Sequence, residues 1–145
     1  MKIEARWADL EPGTVLKKQF HEEILGGRAE VELFVQRLAR PDTGEAYLLH
    51  PDRPRRTSSF DGRSVPDHKV VVAVRDAFGY MEFSDDDHFC QSLGSPESPG
   101  WTTTASDYFH PGTGVSLSTL VDLIDEFRTT AARPTAVRWR DALGE

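Results

Sequence analysis

Val70-Val71-Val72-Ala73-Val74-Arg75-Asp76-Ala77-Phe78-Gly79-Tyr80-Met81-Glu82-Phe83, residues 70–83, decide the fold of this chain. The valines favour an extended backbone, where a branched Cβ packs on a pleated surface without the rotamer crowding it meets in a helix. Gly79 is the expected turn and Tyr80–Phe83 the return strand, so the stretch predicts a central antiparallel hairpin.

Upstream, Glu45–Leu49 is a further strand candidate. Val31, Phe34, Val35 and Leu38 recur at helical spacing between the Gly26-Gly27 break and Pro41, which predicts a first helix. Lys2–Trp7 alternates, with Ile3, Ala5 and Trp7 on one face. After a turn at Glu11-Pro12-Gly13, strand character resumes within Thr14–Leu25, making a hairpin. Pro51–Pro66, rich in Pro, Arg and Ser, reads as a long surface loop without regular structure.

Downstream, His88–Ser92 and Thr102–Phe109 read as two strands around a loop holding Pro96, Pro99 and Trp101. Leu117, Leu120, Val121, Ile124 and Phe127 fall on one helical stripe that leaves Asp122, Asp125 and Glu126 in solvent. Ser116 or Ser118 caps this helix, Arg133-Pro134 ends the segment, and Ala136–Trp139 is a terminal strand. The class is α+β: a mostly antiparallel sheet of about five to seven strands with two main helices, the last packed on the sheet. Neither a repeat nor a second composition regime beyond a shift in charge is present, so residues 1–145 read as a single domain.

At 145 residues and 38% hydrophobic, the chain can bury a core without staples. The single cysteine, Cys90, excludes a disulfide framework and a Cys-rich metal cage, and points to a reducing, cytoplasmic setting. No apolar run reaches signal-peptide or membrane-spanning length, so neither secretion nor a membrane partner is expected.

Charge is distributed unevenly. Residues 1–72 hold twelve acids and twelve bases, residues 73–145 twelve acids and five bases, and the net charge is −7. Between Asp76 and Phe127 there are ten acids and no Lys or Arg. Such a stretch cannot neutralise phosphates, so it argues against direct nucleic-acid binding, and its field would draw in a basic surface. An acidic surface that merely keeps the chain dispersed is the plainer alternative.

A search for catalytic company finds none. His88-Phe89-Cys90 beside Asp85-Asp86-Asp87 lacks a second His/Cys pair for a zinc site, and a core Cys with an exposed His accounts for it better. Counted from Asp85 as a calcium loop, the sixth position is Cys90 and the twelfth Pro96, where Gly and Glu are needed. His21-Glu22-Glu23 offers the His-x-Glu half of a zinc-deaminase signature, but one cysteine cannot complete the other half. Gly112-Thr113-Gly114 enters the last helix like a phosphate-binding turn, yet Leu117 stands where a third Gly belongs. Arg53, Arg55, Arg56 and Arg63, diluted by Asp52, Asp61 and Asp67, read as a solvated loop. No catalytic residue, metal or cofactor is expected.

One resemblance does emerge. Val115-Ser116-Leu117, the helix ending in Glu126-Phe127, and Ala132-Arg133-Pro134-Thr135-Ala136-Val137-Arg138-Trp139 resemble the carboxy-terminal third of the first-numbered immunity-protein family of bacterial polymorphic toxin systems. The Val70–Val74 strand, the Gly79-Tyr80 return, Gln91-Ser92-Leu93-Gly94 and Asp107-Tyr108-Phe109 are similar in kind and order to that family's core. The likeness covers about residues 68–140, with the first helix a looser match, and departs at Ala132, where Gly is usual. It implies an α+β, non-enzymatic antidote, encoded beside a toxin often of the nucleic-acid deaminase type, that protects by binding the toxin domain.

Resemblance and charge meet in one mechanism. A toxin acting on nucleic acid needs a positive groove, and an antidote filling it should be acidic where it docks. Trp101 is the candidate anchor, with simple core packing as its alternative, and Asp85, Asp86, Asp87, Glu97 and Asp107 are candidate rim charges. The rival readings are an acidic adaptor for another basic protein and a small ligand-binding domain.

Overall fold

The computed structural model describes residues 1–10, 18–105 and 107–142. Its main sheet has seven strands, all neighbours antiparallel: β1 (Ile3–Leu10), β2 (Lys18–Leu25), β3 (Thr43–Leu49), β6 (Lys69–Arg75), β7 (Phe78–Ser84), β8 (Phe89–Ser92) and β11 (Trp139–Asp141). Their spatial order is β11-β8-β7-β6-β3-β1-β2, which puts the valine hairpin at the centre. Two small hairpins stand outside the sheet, β4 (Arg55–Thr57) with β5 (Ser64–Pro66) and β9 (Trp101–Thr102) with β10 (Tyr108–Phe109). The helices are α1 (Arg28–Leu38) and α2 (Leu117–Thr130). Neither is long and apolar enough to cross a membrane. The α+β class read from the sequence, with its antiparallel sheet and packed last helix, is the class observed.

Strand alternation explains the layers. Val70, Val72, Met81 and Phe83 point to the face that both helices cover, meeting Val31, Phe34, Val35 and Leu38 of α1 and Leu120, Leu123, Ile124 and Phe127 of α2. Val71, Ala73 and Tyr80 point to the other face, where Phe109 buries them and Tyr47, Phe78 and Trp101 pack around. The unbroken valine run is thus the mark of a strand buried on both sides.

The turn of the central hairpin is not Gly79. Arg75 pairs with Phe78, and the two residues between them, Asp76 and Ala77, carry φ values of 53° and 66°. This is the left-handed, two-residue hairpin geometry, which matches the twist of the strands and here is imposed on residues with a Cβ. Gly79 lies inside β7 because α2 crosses there: a Cβ on it would stand 2.7 Å from Leu120 Cβ. The expected turn at Glu11-Pro12-Gly13 lies outside the described residues.

Other boundaries moved as well. Pro51–Pro66, expected to lack regular structure, contains the β4–β5 hairpin, locked by Arg55 donating to the Ser64 hydroxyl and carbonyl at 2.9 and 2.8 Å. Thr102–Phe109 is no continuous strand but the two arms of β9–β10, and β11 starts at Trp139, where Ala136–Trp139 was expected. Helix α2 is capped by Ser116, whose hydroxyl accepts from the Thr119 amide at 3.1 Å. It buries Leu123 along with most of the expected stripe, and Leu117 only in part. Of the three acids expected in solvent only Asp122 is exposed; Asp125 pairs with Arg128, and Glu126 accepts from Thr135 at 2.6 Å.

Candidate functional site

The acid-only stretch is continuous in sequence, but five of its ten acids meet a cation in space. Asp85 pairs with Arg53 at 3.1 Å, Asp86 with Arg56 at 3.1 Å, Asp107 with Lys69 at 3.0 Å, and Asp125 with Arg128 at 2.8 Å. Asp122 is held by Arg28. Every one of these cations except Arg128 comes from the amino-terminal half, which folds back over the acidic half. Among the described residues, Asp76, Asp87 and Glu97 are the exposed acids of the stretch without an ion pair.

Asp85 belongs to an internal network more than to a surface. Its side chain is 9% exposed and accepts from the Asp87 amide at 2.9 Å while meeting His88 Nδ1 at 2.8 Å. Burial opposes ionisation of Asp85, but the Asp87 amide, the His88 ring and Arg53 outweigh it and hold the pKa below its usual value. Arg53 also donates to Asp67 and to the Ala131 carbonyl at the end of α2. His68 sits beside it, accepting from the His50 amide at 3.0 Å and donating from Nδ1 to Asp67. His50 in turn bonds the Arg128 carbonyl at 2.9 Å. Arg53, expected in a solvated loop, is instead part of this internal network; no periodicity marks a residue whose partners lie 14 and 32 positions away.

The remaining predicted positions fall at two ends of the sheet. Lys69 pairs in register with Ser84 and bridges to Asp107, so Asp107 lies at the end where the Asp85–Asp87 turn lies. Trp101 is at the other end of β6, with the Arg75 guanidinium 5.0 Å above its ring. Glu97 is exposed on the loop whose Ser98 hydroxyl accepts from Gly114 at 2.9 Å. A seven-residue strand separates the two ends by about 20 Å, and the β9–β10 hairpin lies between them, with Trp101 paired to Phe109 two residues from Asp107. Trp101 is half-buried: it stacks on Phe109 at 5.5 Å and meets Tyr80 edge-on at 5.6 Å, while its indole N–H has no partner among the described residues.

The Cys90 thiol is buried, its pKa raised by that burial, and it lies 3.6 Å from the Phe83 carbonyl. Among the described residues, no group of three or more His, Cys, Asp or Glu side chains could hold a metal ion. Glu82 and Gln91 face the β9–β10 side and form a polar clasp: the Gln91 amide donates to Glu82 at 3.1 Å and to the Tyr108 carbonyl at 2.6 Å, and its oxygen accepts from the His110 amide. This clasp fixes the hairpin that carries Trp101 and Asp107 to the open side of the sheet.

Residues 19–141 match the profile of the family described as Immunity protein Imm1. The chain belongs to the Imm1 immunity-protein family. The match takes in both helices and the strands of the sheet from β2, less its first residue, through β11, so it includes the first helix, where the resemblance was looser, and reaches back beyond it into β2. No curated protein matches the chain. Membership supports an immunity, antitoxin-like role and suggests a protein that acts without catalysis. Membership in Imm1 implies binding of a cognate toxin; the internal Arg53 network and the Gln91 clasp hold the loops at the two ends of the sheet in place.

Proposed function

We propose that the protein is a non-enzymatic immunity protein that binds a cognate polymorphic-toxin domain, a nucleic-acid deaminase, in the cytoplasm and occludes its substrate groove. The observation that carries this is the family match over residues 19–141. The deaminase rests on the resemblance, which implies a toxin of that type, and on the net charge of −7, which suits the positive groove such a toxin needs. Asp86, Asp87 and Glu97 supply exposed rim charge, with Asp85 and Asp107 held beneath by their cations and Trp101 as an aromatic anchor.

Co-expression tests the reading: the chain should restore growth to cells making the toxin domain encoded beside it, and the two should co-purify one to one. Replacing Asp86 and Asp87 by Lys should slow association and weaken its salt dependence. Trp101→Ala should speed dissociation, read alongside a thermal melt because Trp101 also packs on Tyr80 and Phe109. A wild-type chain that neither protects nor binds would sink the immunity role, and binding at wild-type rates by both variants would remove these residues from the interface.

A further inference from the structure

The helices cover one face of the whole sheet, but the β9–β10 hairpin covers only the middle of the other. On β1 and β2 the second face is open. Phe20 is 80% and Ile24 47% exposed, and Glu22 stands between them with its carboxylate on Arg6 at 3.1 Å. Between this face and the tip of β9–β10 runs a groove of about 560 Å³ lined by Arg6, Phe20, Glu22, Glu45, Tyr47 and Thr104.

Glu45 is the informative residue of that groove. It is 8% exposed, and among the described residues its carboxylate accepts from one donor, the Thr104 hydroxyl, at 3.0 and 3.1 Å. A carboxylate so far removed from water ordinarily has a cation or several donors. The other acids beside the groove have theirs: Arg6 serves Glu22, and Lys69 serves Asp107. Tyr47 lies between Glu45 and Asp107, its hydroxyl pushed up to about 12 by burial first and then by these two carboxylates. Counting the described side chains alone, the groove is one positive charge short, and its lip is an exposed phenylalanine.

We propose that this groove is the anchoring subsite for the toxin domain, taking a Lys or Arg side chain onto Glu45 while Phe20 and Ile24 pack against the apolar base of the same toxin segment. The inference rests on the immunity reading and names the surface that serves it. The partner chemistry follows from complementarity: a basic segment supplies the missing cation, and apolar area on both sides excludes water from the new pair. Tyr47 joins this groove to Asp107 through a 3.3 Å hydrogen bond, so the groove is continuous with the proposed acidic rim.

The test measures binding of purified wild type, Phe20→Ala and Glu45→Gln to the toxin domain encoded beside it, with Phe60→Ala as control. Phe60, 97% exposed at the tip of the β4–β5 hairpin, shares no lining with the groove. Phe20→Ala and Glu45→Gln should each weaken binding about thirtyfold, mostly through faster dissociation, with unchanged melting temperature for Phe20→Ala and unchanged affinity for Phe60→Ala. Glu45→Gln keeps the acceptor for Thr104, so a lost affinity reports the lost charge. If wild type binds and both groove variants bind within about twofold of it, the groove is overturned while the immunity reading stands. If wild type does not bind, the immunity reading falls and takes this one with it.

Discussion

Arg53 and Asp85 face each other at 3.1 Å with side chains only 14% and 9% exposed, tying the stretch before the β4–β5 hairpin to the β7–β8 turn. The same guanidinium reaches Asp67 at 2.9 Å and the last carbonyl beyond α2. Arg53→Ala should therefore leave two poorly solvated carboxylates and a bare helix end, and lower stability by about 3 kcal/mol. Denaturant unfolding of the variant checks this; a loss within the range of an ordinary surface substitution would show the network to be ornamental.

Acid should unfold the protein in two steps. Burial, helped by the charge of Arg53, lowers His68 below its ordinary 6.5 despite Asp67. The unfolded chain thus takes up that proton first, and the stability of neutral His68 is whole above about 6.5 and lost as pH falls through its folded value. Asp9, Asp67 and Asp85 sit below 3.8 because burial is outweighed by the Asp87 amide at Asp85 and by histidine, Arg37 and Arg53 contacts, so their contribution is lost only as pH falls below that value. Melting temperature followed from pH 8 to 2 should show both steps, and His68→Gln should flatten the first.

Glu82 runs the other way. Burial raises its pKa above 4.5, against the Gln91 hydrogen bond, so its contribution is favourable at low pH and is lost as pH rises through the folded value. Glu82→Gln keeps an acceptor for Gln91 and should stabilise by about 1 kcal/mol at pH 8 and by much less at pH 4. Equal effects at the two pH values would mean that Glu82 is solvated.

Two alanines occupy left-handed backbone, Ala77 at φ 66° in the central turn and Ala131 at φ 57° closing α2. Glycine at either place should raise stability by about 0.5–1 kcal/mol, since relief of the Cβ clash exceeds the added freedom of the unfolded chain. A fall in melting temperature at either site would contradict the turn geometry.

Gly79 and Phe127 report on how α2 meets the sheet. Gly79→Ala drives a methyl into Leu120 and should cost about 1–3 kcal/mol, whereas Phe127→Ala empties a fully buried site between His50, His68 and Phe83 and should cost about 3–5 kcal/mol. Thermal melts of both variants decide it: an unmoved midpoint in either would place the helix elsewhere.

Local pattern by itself determined the α+β class, the valine hairpin at the sheet's centre, the face of α1 and most of the face of α2, because periodicities of 2 and 3.6 record which side of an element meets a core. The same short motifs were enough to point to the immunity family. Only the tertiary structure decided what the charges do. Ten acids without a cation looked like one docking face, yet Arg28, Arg53, Arg56 and Lys69 return from the other half of the chain to cancel much of it. It also decided that Gly79 serves the α2 crossing and not a turn, and that the open sheet face lies at Phe20 and Glu45. Ion pairs and uncovered surfaces join residues tens of positions apart, and no local period in a sequence encodes them.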